Sequence, residues 1–151
     1  MSAPSELPAF REPKPIEKIF NRAFGFLVGL GVGPGYCYLL QVRGRKSGRI
    51  YSTPVNLMEV AGKKILVAPR GRTQWVRNAE ASGEITLKRG SYQESFRLRP
   101  ISDSEKPELL KMYLERFVMA VQRYFPVKAG SEPAAFLDVA TSYPVFELSP
   151  A

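Results

Sequence analysis

From residue 36 to residue 101 the chain alternates short runs rich in β-branched and aromatic residues with glycine-centred turns, and this alternation restricts it to a largely antiparallel β architecture. The runs YCYLLQVR (36–43) and IYSTPVNLMEV (50–60) flank the tight connection GRKSG, and AGKK then turns into KILVAP (64–69). EITLKRG (84–90) and SYQESFRLRPI (91–101) meet around Gly90, and SYPVFEL (142–148) closes as a last strand. Three helices are predicted between and around them. One covers 16–29, where Ile16, Ile19, Phe20, Ala23, Phe24 and Leu27 share a face before GVGPGY stops it. A second covers 73–82, from a capping-type Thr73 to Gly83. The third covers 102–125, with Ser and acids at its start and Pro126 just past its end. Strands from both ends of the sequence with few helices imply a small closed or half-open antiparallel barrel with helices outside it. A flexible, Pro-rich arm is expected over 1–15 and one domain over 16–151.

Composition then narrows the chemistry. A chain of 151 residues buries roughly two-thirds of its unfolded surface and can hold a core without staples. It contains no histidine, which removes imidazole acid–base chemistry, His-dependent nucleophiles and His metal sites from its repertoire. The 14 acids show no ligand spacing, so no metal is expected. The single cysteine, Cys37, reads as a small buried hydrophobe in a reducing compartment. The net charge of +8 is concentrated: residues 43–99 hold 13 Lys and Arg against 4 acids, while the remainder nets −1. An anionic partner is expected there, whether nucleic acid, membrane surface or phosphorylated small molecule.

The uncharged run 23–40 approaches membrane-spanning length, but Gly31, Gly33, Pro34 and Gly35 would break a spanning helix. No secretory signal is recognisable, so a cytoplasmic location is expected. Lys14, Lys18 and Arg22 beside the apolar face of 16–29 leave a second option, peripheral contact with the inner face of the cell membrane, against the simpler packing of that face on the domain or on a second subunit.

The basic segment itself suits phosphate. A short Gly-flanked turn aligns backbone N–H groups, and neighbouring Lys, Arg and Ser side chains can surround an anion with charge-assisted bonds. The same residues also make ordinary exposed hairpin loops. Thr53-Pro54 lies in a strand where Pro demands an edge or bulge. Trp75 and Asn78 fall on one helical face near Arg70 and Arg72, a plausible floor for a flat, polar-edged ring, or alternatively a core anchor beside a surface amide.

The succession VRGRKSGRIYSTPVNLMEVAGKKILVAPRGRTQWVRNAEASGEITLKRG resembles the deazaflavin-dependent nitroreductase family, F420-dependent oxidoreductases abundant in actinobacteria. The similarity runs over about 16–101 and continues loosely through SYPVFELSP. It implies a fold that is mainly β with α (α+β), a split antiparallel β-barrel related to FMN-binding split barrels, with peripheral helices, and it implies F420 as cofactor. It assigns the cofactor phosphate to Arg45, Lys46 and Ser47, with Arg49 standing in for an arginine that many members carry where this chain has Tyr51. It places Thr53, Pro54 and Val55 along the deazaflavin ring, Ala68, Arg70 and Gly71 near ring or phosphate, and Trp75 and Asn78 at the W-x-x-N pair. F420 carries a phosphate and a polyglutamate tail, which complements the basic segment.

The implied activity is hydride transfer from reduced deazaflavin to a hydrophobic, conjugated electrophile such as a quinone, an enone or a nitroaromatic. The cofactor carries the reactive carbon, which suits a chain without histidine. Tyr51, Ser52 and Tyr124 are the candidate proton donors. Family members shape the substrate pocket with tyrosines in a C-terminal loop, and FPVKAGSEPAAF (125–136) has none. The competing expectations are a non-catalytic barrel that binds lipid or another hydrophobic ligand, an FMN-binding barrel, and a nucleic-acid-binding barrel, the last not retained as a partner class. The resemblance also implies a possible homodimer, since split barrels of this family often dimerise, and two-fold pairing would protect sheet edges as well.

Overall fold

A computed structural model describes residues 34–151. The expected arm over 1–15 and helix over 16–29 lie outside the described residues. Six antiparallel strands close into a barrel: β1 (Cys37–Arg43), β2 (Ile50–Val60), β3 (Lys63–Val67), β4 (Glu84–Arg89), β5 (Tyr92–Pro100) and β6 (Val145–Pro150), in the order β1-β2-β3-β6-β5-β4. The first three strands form the expected meander, and the C-terminal strand inserts between β3 and β5.

The period-two alternation of the strands sorts their side chains into two cores. Leu40, Val42, Leu57, Leu66, Ile85, Leu87, Phe96 and Leu148 fill the barrel. Met58, Ile65, Val67 and Val145 point outward into a second cluster with Leu110, Tyr113, Leu114, Phe136 and Tyr143. Strand β3 is therefore buried on both faces, which explains why KILV is a continuous apolar run. The turn into β3 is tight, with Ala61 at φ 50° and Gly62 at φ 80°.

Helix α1 (Gln74–Ser82) ends as the sequence indicates, at a left-handed Gly83 (φ 75°) whose N–H donates to the Ala79 carbonyl at 2.7 Å. The predicted helix over 102–125 is instead divided. A short 3₁₀ turn (Asp103–Glu105) leads into α2 (Lys106–Arg116), the chain leaves helical geometry at Phe117, and α3 (Val118–Val121) is followed by a second 3₁₀ turn (Gln122–Tyr124). The break follows from packing: the Phe117 ring is buried between Tyr113 at 5.0 Å and Tyr36 at 4.9 Å. The segment after Pro126, expected as a loop, contains 3₁₀ turns from Pro133 to Ser142 that bury Phe136, Val139 and Ala140 against α2. Lys106 joins these two layers, its buried ammonium donating to the Ala140 carbonyl at 3.0 Å and pairing with Asp103 at 2.7 Å.

Strand β2 creates the opening that the site uses. Its first half, Ile50–Asn56, pairs with β1, and only its second half, Leu57–Val60, pairs with β3. Pro54 stands opposite Leu39 in the half paired on one side, so its missing N–H breaks no ladder.

Candidate functional site

Beside that one-sided half of β2 lies a cleft of about 1040 Å³. Its first wall is the β1–β2 turn. Gly44 N–H donates to the Arg49 carbonyl at 2.7 Å and Gly48 N–H to the Gly44 carbonyl at 3.0 Å, with Gly48 in the left-handed region at φ 75°. The Arg49 amide donates to Ser47 Oγ at 3.2 Å, and that hydroxyl lies 3.2 Å from the Tyr51 hydroxyl. A Cβ on Gly44 would come within 2.6 Å of the Tyr51 ring and 3.0 Å of Ser47 Oγ, so glycine is what lets the phenol lie against the turn.

Opposite the turn stands α1. Asn78 is buried, and its Oδ1 accepts from the Arg45 amide at 3.1 Å and from Arg45 Nη1 at 2.7 Å. Gln74 Oε1 accepts from Arg45 Nη2 at 3.0 Å. The hydrogen-bonding pair on α1 is thus Gln74 and Asn78, four residues apart, rather than Trp75 and Asn78. Trp75 does line the cleft, while the other side of its ring packs 6.4 Å from Phe146. Thr73 occupies the N-terminal cap position without capping: its Oγ1 is buried and has no hydrogen-bond partner.

The loop after β3 forms the third wall. Ala68 N–H donates to the Pro144 carbonyl at 2.9 Å, Gly71 N–H to the Ala68 carbonyl at 3.2 Å, and Gly71 takes φ 82°. The Arg70 guanidinium sits 5.7 Å from the centre of the Tyr124 ring, which Arg123 approaches at 4.7 Å. Tyr113 and Cys37 contribute the deeper lining. Burial pushes the Tyr113 phenol well above its usual range. It also raises the Cys37 thiol, against the opposing charge of Arg89, so Cys37 stays a neutral donor to Asn56 Oδ1 at 3.2 Å.

The cleft brings together Arg45, Lys46 and Ser47 from the turn, Thr53, Pro54 and Val55 from β2, Ala68, Arg70 and Gly71 from the loop, and Trp75 and Asn78 from α1. Tyr51, Ser52 and Tyr124 line it too. Arg49 is exposed and is not part of the lining. The sequence marks Thr73 only as a helix cap and Gly44 only as part of the turn, and Gln74 was not singled out. Gln74 carried a signal, its place one turn before Asn78 on the same helix face.

Charge sets this cleft apart. Its lining includes Arg45, Lys46 and Arg70 and, among the described residues, no Asp or Glu. Several cations elsewhere are paired with carboxylates, Arg72 with Glu80 at 2.5 Å, Arg99 with Glu147 at 2.5 Å and Lys64 with Glu59 at 3.7 Å. A concave wall that carries positive charge favours an anion.

A model of the F420H(2)-dependent quinone reductase family matches residues 18–127. The chain belongs to this family. The matched span takes in every wall of the cleft, from the basic turn to Tyr124. Solved structures agree on the fold. An F420-H2 dependent reductase (FDR-A) superposes with a TM-score of 0.52 at 20% identity over 78% of this chain and 97% of that one. A protein described as a domain-swapped dimer does so with a TM-score of 0.53 at 19% identity over 90% and 100%. HutZ, the heme storage protein of Vibrio cholerae, shares the fold at 11% identity, with a TM-score of 0.53 over 77% and 82%. No curated protein matches the chain.

This member of the F420H(2)-dependent quinone reductase family is an F420-dependent oxidoreductase built on a split antiparallel barrel, and F420 is the cofactor that membership assigns to it. The cleft fits such a group in three respects: Arg45 and Lys46 on the basic turn suited to a phosphate, an orphaned Thr73 hydroxyl, and an aromatic and aliphatic lining for a planar ring. Among the described residues no three His, Cys, Asp or Glu side chains come together as a metal site.

Proposed function

We propose that the chain reduces a hydrophobic, conjugated electrophile such as a quinone, an enone or a nitroaromatic inside this cleft. The observation that carries the proposal is the convergence of the basic turn, the one-sided half of β2, the Arg70 loop and α1 on one space lined, among the described residues, without carboxylates. Reduced F420, when bound, supplies the hydride. The chain's own residues orient, neutralise charge and donate protons. Lys46 and Ser47 belong to the phosphate end together with Arg45, and Arg49 adds cationic field from outside the lining. Thr53, Pro54 and Val55 offer a strand without a neighbour on one side, along which a flat ring can lie. Ala68 ties the loop to the Pro144 carbonyl just before β6, Gly71 closes the turn onto Ala68, and Arg70 brings a lining cation beside Tyr124. Trp75 supplies a ring face.

Proton delivery to the reduced substrate needs a hydroxyl within reach, and Tyr51, Ser52 and Tyr124 each bring one to the wall. Y51F, S52A and Y124F separate them: the donor's variant loses kcat with KM little changed. The proposal includes a homodimer, which light scattering on the purified protein decides. It also includes peripheral membrane contact through 16–29, which fails if deleting residues 1–30 leaves liposome binding unchanged.

The deciding experiment is a fluorescence titration with F420 run beside FMN. Micromolar or tighter F420 binding that weakens about tenfold in K46A is expected, the scale of one lost charge-assisted contact. FMN binding with no F420 binding would sink the proposal.

A further inference from the structure

The bonds between α1 and the basic turn have a chemistry of their own. Arg45 is held by three hydrogen bonds, to Asn78 Oδ1 from its amide at 3.1 Å and from Nη1 at 2.7 Å, and to Gln74 Oε1 from Nη2 at 3.0 Å. Both acceptors are neutral amides. Two other guanidiniums, those of Arg72 and Arg99, are held by carboxylates at 2.5 Å. A carboxylate would fix Arg45 equally well but would cancel its charge. An amide oxygen fixes it and leaves the charge in place, with the remaining N–H groups of the five-donor fork still unspent.

We infer that Asn78 and Gln74 are positioning residues for Arg45, two amides one helical turn apart that preorganise a guanidinium without neutralising it, so that it meets a phosphate group already in place. The inference rests on the cofactor reading above and refines it: Asn78 acts through Arg45. Asn78 is buried, so its oxygen must be satisfied from within the protein, and the turn's own arginine does so twice. The helix is packed on β1 and β4, which makes it a rigid mount for a loop residue 33 positions earlier.

The test titrates the full-length protein with F420 and, separately, with inorganic phosphate at two salt concentrations. It compares wild type, R45A, N78A, Q74E and the R45A/N78A and R45A/Q74E doubles, with circular dichroism reporting the fold. R45A and N78A are each expected to weaken F420 binding about tenfold. The R45A/N78A double is expected to be little weaker than either single variant, and all three to lose salt dependence together. Gln74 is exposed, so Q74E keeps the fold and an acceptor but sets a carboxylate on Nη2. It is expected to weaken binding as R45A does, and to add little in the R45A background. Additive losses in the R45A/N78A double, an R45A that binds normally, or a Q74E that binds as wild type each overturn the inference; if N78A does not fold, R45A and the Q74E pair decide. Wild type that binds phosphate with this same pattern but not F420 removes the cofactor reading and keeps the clamp. Binding of neither anion removes both.

Discussion

A single missing methyl group shapes the turn. With no side chain on Gly44, the Tyr51 ring lies against the backbone that carries Lys46 and Ser47. In G44A the new Cβ, 2.6 Å from the ring, displaces Tyr51 and breaks the contact between its hydroxyl and Ser47. The expected outcome is F420 binding weakened severalfold with Tm lowered by a few degrees, read by titration and calorimetry on the same protein. A G44A protein with wild-type affinity would remove the turn from the binding machinery. At this scale the sequence was a partial guide. Arg45, Lys46, Ser47 and Asn78 are legible because their types suit anions and amides, but the partner of Asn78 is not, since a contact between residues 33 positions apart belongs to the tertiary fold. Arg49 shows the converse, a cation in the right stretch whose place in the turn directs it away from the lining.

Among the elements, the first five strands were legible to within a residue or two because glycine and charged residues bracket each β-rich run, whereas the last, expected over 142–148, runs from Val145 to Pro150. Helix α1 was equally plain, its end fixed by Gly83. The stretch 102–125 was not, because RFVMAVQRYF keeps helical spacing through the break, and only the burial of Phe117 between Tyr113 and Tyr36 stops the helix. The 3₁₀ turns after Pro133 were less legible: Phe136, Val139 and Ala140 do stand at i, i+3 and i+4, but the run is too short between Pro133 and Pro144 to set it apart from a loop. One local conflict remains. Ala61 holds φ 50° in a turn whose geometry suits Asn or Gly. A61N is expected to stabilise the protein by about 0.5–1 kcal/mol, seen as a Tm rise of a few degrees without change in F420 affinity.

For the whole molecule, barrel closure places Glu147 of β6 between Arg99 of β5 at 2.5 Å and Lys63 of β3 at 3.8 Å. The hydrogen bond from Arg99 holds the Glu147 carboxyl below its ordinary value of 4.5, against the opposing effect of burial and with the charges of Lys63 and Arg99 assisting. A depressed carboxyl adds stability above its ordinary value and loses it as pH falls through the depressed one. The Tm of E147Q is therefore expected to lie below wild type at neutral pH, with the gap closing as pH drops below about 4.5. A gap unchanged down to pH 2 would show that the charge on Glu147 contributes nothing.

The lack of carboxylates among the described residues that line the cleft has a cost in the ligand-free protein. Like charges that await a ligand repel one another, so the apo form carries a built-in tension that binding releases. K46A, the variant expected to bind F420 poorly, should then melt higher than wild type at low salt, and added salt should narrow the difference. The protein would thereby exchange resting stability for readiness.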